Sequence, residues 1–201
     1  MSDFEKIISD ERVHIGYIYG SRTVLFIKTG QGGSIYGYEN RYLDLALRIR
    51  EKYGFSVFVS ATSTDGRDVY DYEMSLIQGE LSEDIEIYYM GVSKGGLIGC
   101  WYGKDNPKIN RIVAVNAPLM VNFYNKTLPA IKALGRDRIS MVYGSLDPSF
   151  KYVPFISNYT DVEIIENADH NLINVSFGIS EIAEKILLKS LPSGDPKSSN
   201  K

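Results

Sequence analysis

The chain is poor in the residues on which metal and disulfide chemistry depend. Its 201 residues include one cysteine, Cys100, two histidines, His14 and His170, and one tryptophan. A single thiol excludes an intrachain disulfide and any cysteine-built metal cluster. It fits a reducing compartment. Two histidines and no cysteine pair leave a zinc centre without ligands, so neither metal nor organic cofactor is expected. Charge of one sign is lacking too. Lys and Arg number 22 against 25 Asp and Glu, a formal net charge of −3. With no basic block and no alternation of aromatic and basic residues, nothing points to nucleic acid or an anionic membrane as a partner. No apolar stretch is long enough to span a bilayer. The opening Met1-Ser2-Asp3-Phe4-Glu5-Lys6 lacks the basic start and apolar run of a secretory signal. The expected location is cytoplasmic.

What is present is a sizeable core: 44% of the residues are hydrophobic, and the length suits one domain. That domain is expected over residues 1–189. Residues 190–201 read SLPSGDPKSSNK, too polar to bury much, and are expected to form a flexible tail. In between, apolar strand-like runs alternate with segments of helical spacing. Strands are expected at Thr23–Lys28, Phe55–Ser60, Ile85–Met90, Ile112–Val115, Ile139–Tyr143 and Val162–Ile165. Helices are expected at Glu39–Lys52 (ended by Gly54), Val69–Leu81, Lys94–Tyr102, Leu128–Leu134 and Asn174–Leu188. Strands separated by helices make parallel units, because a parallel return needs a crossover. Phe4–Ile8 and Val13–Tyr19 have no helix between them and read as an antiparallel edge hairpin. The fold class that follows is α/β: a three-layer αβα sandwich around a mostly parallel eight-stranded sheet.

One stretch asks for chemistry. Tyr88 to Trp101 reads YYMGVSKGGLIGCW, a serine between glycines, after a strand and before a helix. Gly91 and Gly95 flank Ser93 at two residues on either side. A sharp strand-to-helix turn would bring those positions together, leave no room for a Cβ, and lift Ser93 Oγ clear of the backbone. This is the pattern of a nucleophile elbow; the plainer alternative is a glycine turn carrying an ordinary serine. A serine hydroxyl needs a base. His14 sits in the edge hairpin, whereas His170 lies in the loop after the last strand, on the serine's edge of the sheet. The base needs an orienting carboxylate. Asp147 is the first carboxylate after the fifth parallel strand and ranks above Asp169, because a residue adjacent to the histidine usually points away.

Ser93, Asp147 and His170 occur in that order, each after a parallel strand. From about Val13 to Leu188 the chain resembles the α/β-hydrolase family. The resemblance implies Ser93 as nucleophile, His170 as general acid and base, and Asp147 as its orienter. It also implies an oxyanion hole from the amide after the nucleophile, Lys94, and an amide in the loop after the first parallel strand. That loop is Thr29-Gly30-Gln31-Gly32-Gly33-Ser34. Gln31 is the expected donor, with Gly30 as second choice. The family often has His-Gly where this chain has Thr29-Gly30, which costs little because the backbone donates. The loop is neither a P-loop, lacking Gly-Lys-Ser/Thr, nor a dinucleotide fingerprint, since Ile35 stands where a third glycine belongs.

Only residues 116–138 separate the fourth parallel strand from the fifth. A cap domain, present in larger family members, is therefore expected to be absent or minimal and the site fairly open. Tyr36, Leu119, Met120, Phe123 and Leu146 are candidates to line a substrate pocket. Lys94 otherwise reads as a solvent-facing helix start, and Cys100 as a small apolar packer. The expected activity is that of a serine hydrolase cleaving a carboxylic ester or thioester through an acyl-enzyme, its partner a small or acylated substrate. Transfer of the acyl group to a hydroxyl acceptor such as a sugar, or a hydrolase-fold protein that only binds, are the alternatives.

Overall fold

A computed structural model describes residues 3–61, 66–81, 84–175 and 178–187. The tail expected from Ser190 onward lies outside the described residues, as do residues 176, 177 and 188 of the expected closing helix.

Eight strands form one sheet: β1 (Lys6–Ser9), β2 (His14–Ile18), β3 (Thr23–Lys28), β4 (Ser56–Ser60), β5 (Glu86–Val92), β6 (Ile109–Val115), β7 (Ile139–Gly144) and β8 (Asp161–Ile165). Their order is β1-β2-β4-β3-β5-β6-β7-β8. β1 pairs antiparallel with β2, and β2 antiparallel with β4. From β4 to β8 every pairing is parallel. The helices are α1 (Arg41–Tyr53), α2 (Arg67–Leu81), α3 (Lys94–Gly103), α4 (Leu128–Arg138), α5 (Val153–Ile156) and α6 (Ile179–Ile182). The fold class expected from the sequence is the one observed.

The strands are apolar on both faces because both faces are covered. In β3, Val24 and Phe26 point into one core, with Tyr70 and Met74 of α2, Leu97 of α3 and Ile131 of α4. Leu25 and Ile27 point into the other, with Leu45, Ala46 and Ile49 of α1 and Ile179 and Ile182 of α6. The period of two along each strand thus sorts the helices into two outer layers.

Strand order also fixes where the crevice falls. The chain leaves β3 toward α1 on one face and leaves β5 toward α3 on the other, and β3 and β5 are hydrogen-bonded neighbours. Connections that part to opposite faces open a crevice at the carboxyl ends of those two strands, the switch point where open α/β sheets receive ligands. The glycine loop and Ser93 both stand there.

Several boundaries differ from expectation. The first helix starts at Arg41, because Glu39 and Asn40 take left-handed backbone angles (φ 50° and 61°) in a preceding 3₁₀ turn. The closing helix starts at Ile179, not Asn174. The Asn174 side chain instead serves the preceding loop, accepting from Asp169 N (3.1 Å) and donating to Asn167 O (2.6 Å). After Ile182 the backbone widens into a π turn over Ala183–Leu187. β6 begins three residues early, at Ile109. α4 runs on to Arg138 through a break at Gly135. Between β6 and β7 there is a π turn (Phe123–Thr127) and α4, whose Ala130, Ile131 and Leu134 are buried in the core.

A buried ion pair lies beneath the crevice. Lys28, the last residue of β3, places Nζ 2.7 Å from both carboxylate oxygens of Glu73 on α2, with side-chain exposures of 1% and 0%. The Ser60 hydroxyl at the end of β4 donates to the same carboxylate. Burial pulls the Lys28 ammonium down from its ordinary range, and the Glu73 charge opposes that pull. Removing one partner leaves the other charge dry and uncompensated. Glu73→Gln or Lys28→Met alone is expected to cost about 3–5 kcal/mol, and the apolar pair Lys28→Met with Glu73→Leu far less than the sum. Urea unfolding of the three variants measures this.

Candidate active site

Ser93 stands on a strained backbone. Its φ of 52° and ψ of −121° lie where a residue with a Cβ rarely sits. The turn is held by Ser93 N donating to Val115 O (2.7 Å) and by the buried Tyr89 hydroxyl donating to Gly95 O (2.8 Å). The flanking glycines are a matter of space. A Cβ on Gly95 would lie 2.1 Å from the carbonyl oxygen of Lys28, and one on Gly91 would lie 2.4 Å from the carbonyl oxygen of Gly95. Both obstacles are backbone, so no rotamer change relieves them. α3 begins at Lys94, and its first amides and their dipole are directed at the serine.

The side chains singled out from sequence converge here. Ser93 Oγ is 3.0 Å from His170 Nε2. His170 Nδ1 is 2.5 Å from Asp147 Oδ2. A carboxylate can only accept, so Nδ1–H donates to Asp147, and Nε2 keeps a lone pair for the serine hydroxyl. Asp147 is 1% exposed and His170 39%. Asp147 is fixed by Ser149 N, which donates to its other oxygen (2.7 Å). Asp169 instead accepts from Asn171 N (3.0 Å) and shapes the loop. The bond to Asp147 raises the His170 pKa above its ordinary 6.5, partly offset by burial. The second histidine, His14, is exposed on the edge hairpin beside Ser9.

The histidine loop is tied down by a residue to which the sequence reading assigned no role. Asn116 follows β6 and is fully buried with φ 47°. Its Nδ2 donates to the carbonyls of Asp169 (3.2 Å) and His170 (2.9 Å), and its Oδ1 accepts from Gly144 N (2.9 Å). One side chain therefore joins the ends of β6 and β7 to the histidine. The available sequence signal was an asparagine directly after an apolar strand, the residue type that tolerates left-handed backbone.

A cavity of about 400 Å³ opens beside Ser93 and His170. Gly30 and Gln31 line it, and a Cβ on Gly30 would lie 3.0 Å from Ser93 Cβ. Lys94 begins α3 but is not among the lining residues. None of the five candidate pocket residues lines this cavity. Leu119 and Phe123 are buried in the core against α3 and α4. Tyr36 packs on Phe4 and donates to Asp3 Oδ1 (3.0 Å). Met120 and Leu146 are exposed, and the Met120 sulfur is 3.7 Å from Ser149 Oγ. The cavity wall is instead completed by Tyr38 and Arg41, at the start of α1. A reading of that helix by its apolar face passes over both.

Asn116→Ala strands the buried Gly144 amide and frees the histidine loop. A loss of about 1–3 kcal/mol is expected, measured by chemical denaturation.

No protein-family model matches the sequence, and a comparison with curated proteins finds no match. Solved structures do match. Est1E from Butyrivibrio proteoclasticus aligns at a TM-score of 0.69 and 12% identity, over 92% of this chain and 97% of that one. XC6422 from Xanthomonas campestris, described as an α/β serine hydrolase without lid, aligns at 0.65 and 10% identity over 95% of each chain. An α/β serine hydrolase homologue from Coxiella burnetii aligns at 0.64 and 13% identity, over 96% of this chain and 99% of that one. Identities this low speak to the fold alone. Six parallel strands behind an antiparallel hairpin, with the switch point between β3 and β5 and Ser93 on the turn after β5, give this chain the α/β-hydrolase fold.

Proposed function

We propose that the protein is a serine hydrolase that cleaves a carboxylic ester or thioester through an acyl-enzyme. The observation that carries the reading is the unbroken chain Ser93 Oγ–His170 Nε2–Asp147, at 3.0 and 2.5 Å, on a strained turn at the sheet's switch point. A solvated loop histidine would have no reason to meet both a strained serine and a dry carboxylate. Two neighbours of the same fold, described as an α/β serine hydrolase without lid and an α/β serine hydrolase homologue, make the chemistry a natural one for this scaffold.

Ser93 Oγ attacks the acyl carbon while His170 Nε2 takes its proton. The amides of Gln31 and Lys94, with Gly30 as the second choice in the loop, hold the oxyanion. Its negative charge also meets the N-terminal end of α3. The imidazolium then passes its proton to the departing alcohol or thiol. Water, deprotonated by His170, attacks the acyl-enzyme and regenerates Ser93. Asp147 holds Nδ1–H and offsets the imidazolium charge. No residue of the short segment between β6 and β7 lines the cavity beside Ser93, which favours access for an acyl group on a larger molecule or for a small ester.

Two outcomes test this. A fluorophosphonate probe read by intact mass is expected to add once to the wild type and not to Ser93→Ala or His170→Ala. Hydrolysis of short acyl esters is expected to fall about 10⁴-fold or more in either variant. Transfer of the acyl group to an added sugar, seen as a new product, would place the same site among acyltransferases. A wild type that takes no adduct and cleaves no ester sinks the reading.

A pH profile tests the role of His170. His170 must be neutral to act as base, so activity is expected to rise with pH through its pKa. Because Asp147 raises that pKa, the acid limb of kcat/KM is expected to have its midpoint above the ordinary 6.5. Asp147→Asn removes the raising partner and leaves the burial, so the midpoint is expected to move to lower pH while the rate falls. A profile that shifts upward, or not at all, contradicts the assigned role.

A further inference from the structure

The cavity beside Ser93 holds one permanently charged side chain, and that charge is unmatched. Arg41 opens α1 and is half-buried. Its Nη1 donates to the carbonyl of Asn171 (2.8 Å), next to His170, and its Nη2 reaches the Tyr42 hydroxyl (3.4 Å). Its Nε is buried with no hydrogen-bond partner. Among the described residues, no carboxylate forms an ion pair with it. Glu39, Asp44 and Glu181 share an adjoining groove with Arg41, yet none forms an ion pair with it, and Glu181 accepts from Gly178 N (3.0 Å).

A guanidinium is seldom left this way. Withdrawn from water it asks for a carboxylate or a full set of acceptors, and here it has two neutral acceptors, the Tyr42 ring 5.1 Å from its central carbon and an idle Nε–H. The rest of the lining is receptive to a polar guest: Thr29, Gln31, Ser34 and Tyr38, on a glycine-rich wall. The volume is that of a small-ligand site. We propose that Arg41 reads an anionic group on the substrate, and that the ester cleaved at Ser93 carries a carboxylate. A carboxylate suits this site better than a phosphate dianion. It brings one charge to one cation, and its planar oxygens match the guanidinium fork. The substrate assignment rests on the hydrolase reading above; the anion site itself does not.

The test compares ethyl hydrogen succinate with ethyl isocaproate, in which an uncharged branched end replaces the carboxylate, by chromatographic product analysis. Arg41 also holds the carbonyl next to His170, so its replacement changes the rate on both esters, and the ratio of the two kcat/KM values is the readout. The wild type is expected to prefer the charged ester. Arg41→Gln is expected to shrink that preference about tenfold or more, because the site loses its charged donor. Arg41→Lys is expected to retain part of it, as a point charge without the fork. Thermal unfolding with added succinate is the arm independent of turnover. Succinate is expected to raise the Tm of the wild type and of Ser93→Ala but not of Arg41→Gln, whose ligand-free Tm reports its folding.

A wild type that cleaves both esters with no preference that depends on Arg41 overturns the inference and leaves the hydrolase reading standing. A wild type that takes no fluorophosphonate adduct and cleaves neither ester, yet gains a succinate-dependent Tm through Arg41, overturns the hydrolase reading and keeps the anion site. An equal succinate shift in Arg41→Gln places the anion elsewhere and overturns the inference.

Discussion

The elbow depends on how closely α3 is seated on the end of β3. The backbone of Gly95 lies against the carbonyl of Lys28 so tightly that a single added carbon would stand 2.1 Å from it. That contact lets the chain reverse from strand to helix within one residue. The whole conformational cost of the reversal is concentrated in Ser93, at a positive φ. It also sets Ser93 beside Gly30, on the loop that follows β3. Loosen the contact and the serine hydroxyl, the first amides of α3 and the glycine loop no longer share one crevice.

Buried polar groups hold the surroundings in register. Lys28, Glu73 and Ser60 join β3, α2 and β4 beneath the crevice. Tyr89 holds the elbow from inside the sheet. Asn116 gathers the ends of β6 and β7 and the histidine loop. Each group would be a heavy liability alone in a dry interior; Lys28 and Asn116 are satisfied by partners far away in sequence, and Tyr89 by Gly95 across the turn. Such ties select one arrangement of the loops because the alternatives leave a buried polar group unpaired. The loops most in need of positioning receive them, since backbone at a sheet's edge has no ladder to fix it.

Electrostatically the site is graded. Asp147 is dry, His170 is partly wet, and the serine opens onto a polar cavity with a guanidinium in its wall. The dry carboxylate takes its hydrogen bonds from protein groups, Ser149 N and His170 Nδ1, which fixes the imidazole with Nε2 toward Ser93. The thiol of Cys100, two turns along α3 from the serine, stays out of this chemistry: burial pushes its pKa up to about 12.

The layout of strands and helices was legible in the sequence because both faces of a parallel sheet are covered. Its strands therefore read as continuous apolar runs, and the crossovers between them must be helices. The elbow was legible because only glycine fits two positions that a tight turn presses together. Ser93, His170 and Asp147 could be named because strand order places each at one sheet edge, and Asp169 could be ranked second by adjacency. What the sequence could not supply were contacts set by distance in space. Leu119 and Phe123 are apolar residues near the site's edge of the sheet, and only packing decided that they join the core against α3 and α4. Arg41 fell inside an expected helix with no role of its own, and only the fold turned it to the cavity, half-buried and beside His170's loop. Asn116 stood just after an expected strand with no role of its own until the histidine loop closed over it. Periodicity and sterics act within a few residues and can be read along a chain. Burial and pairing of polar groups act between segments far apart in sequence, and they exist only once the sheet has brought those segments together.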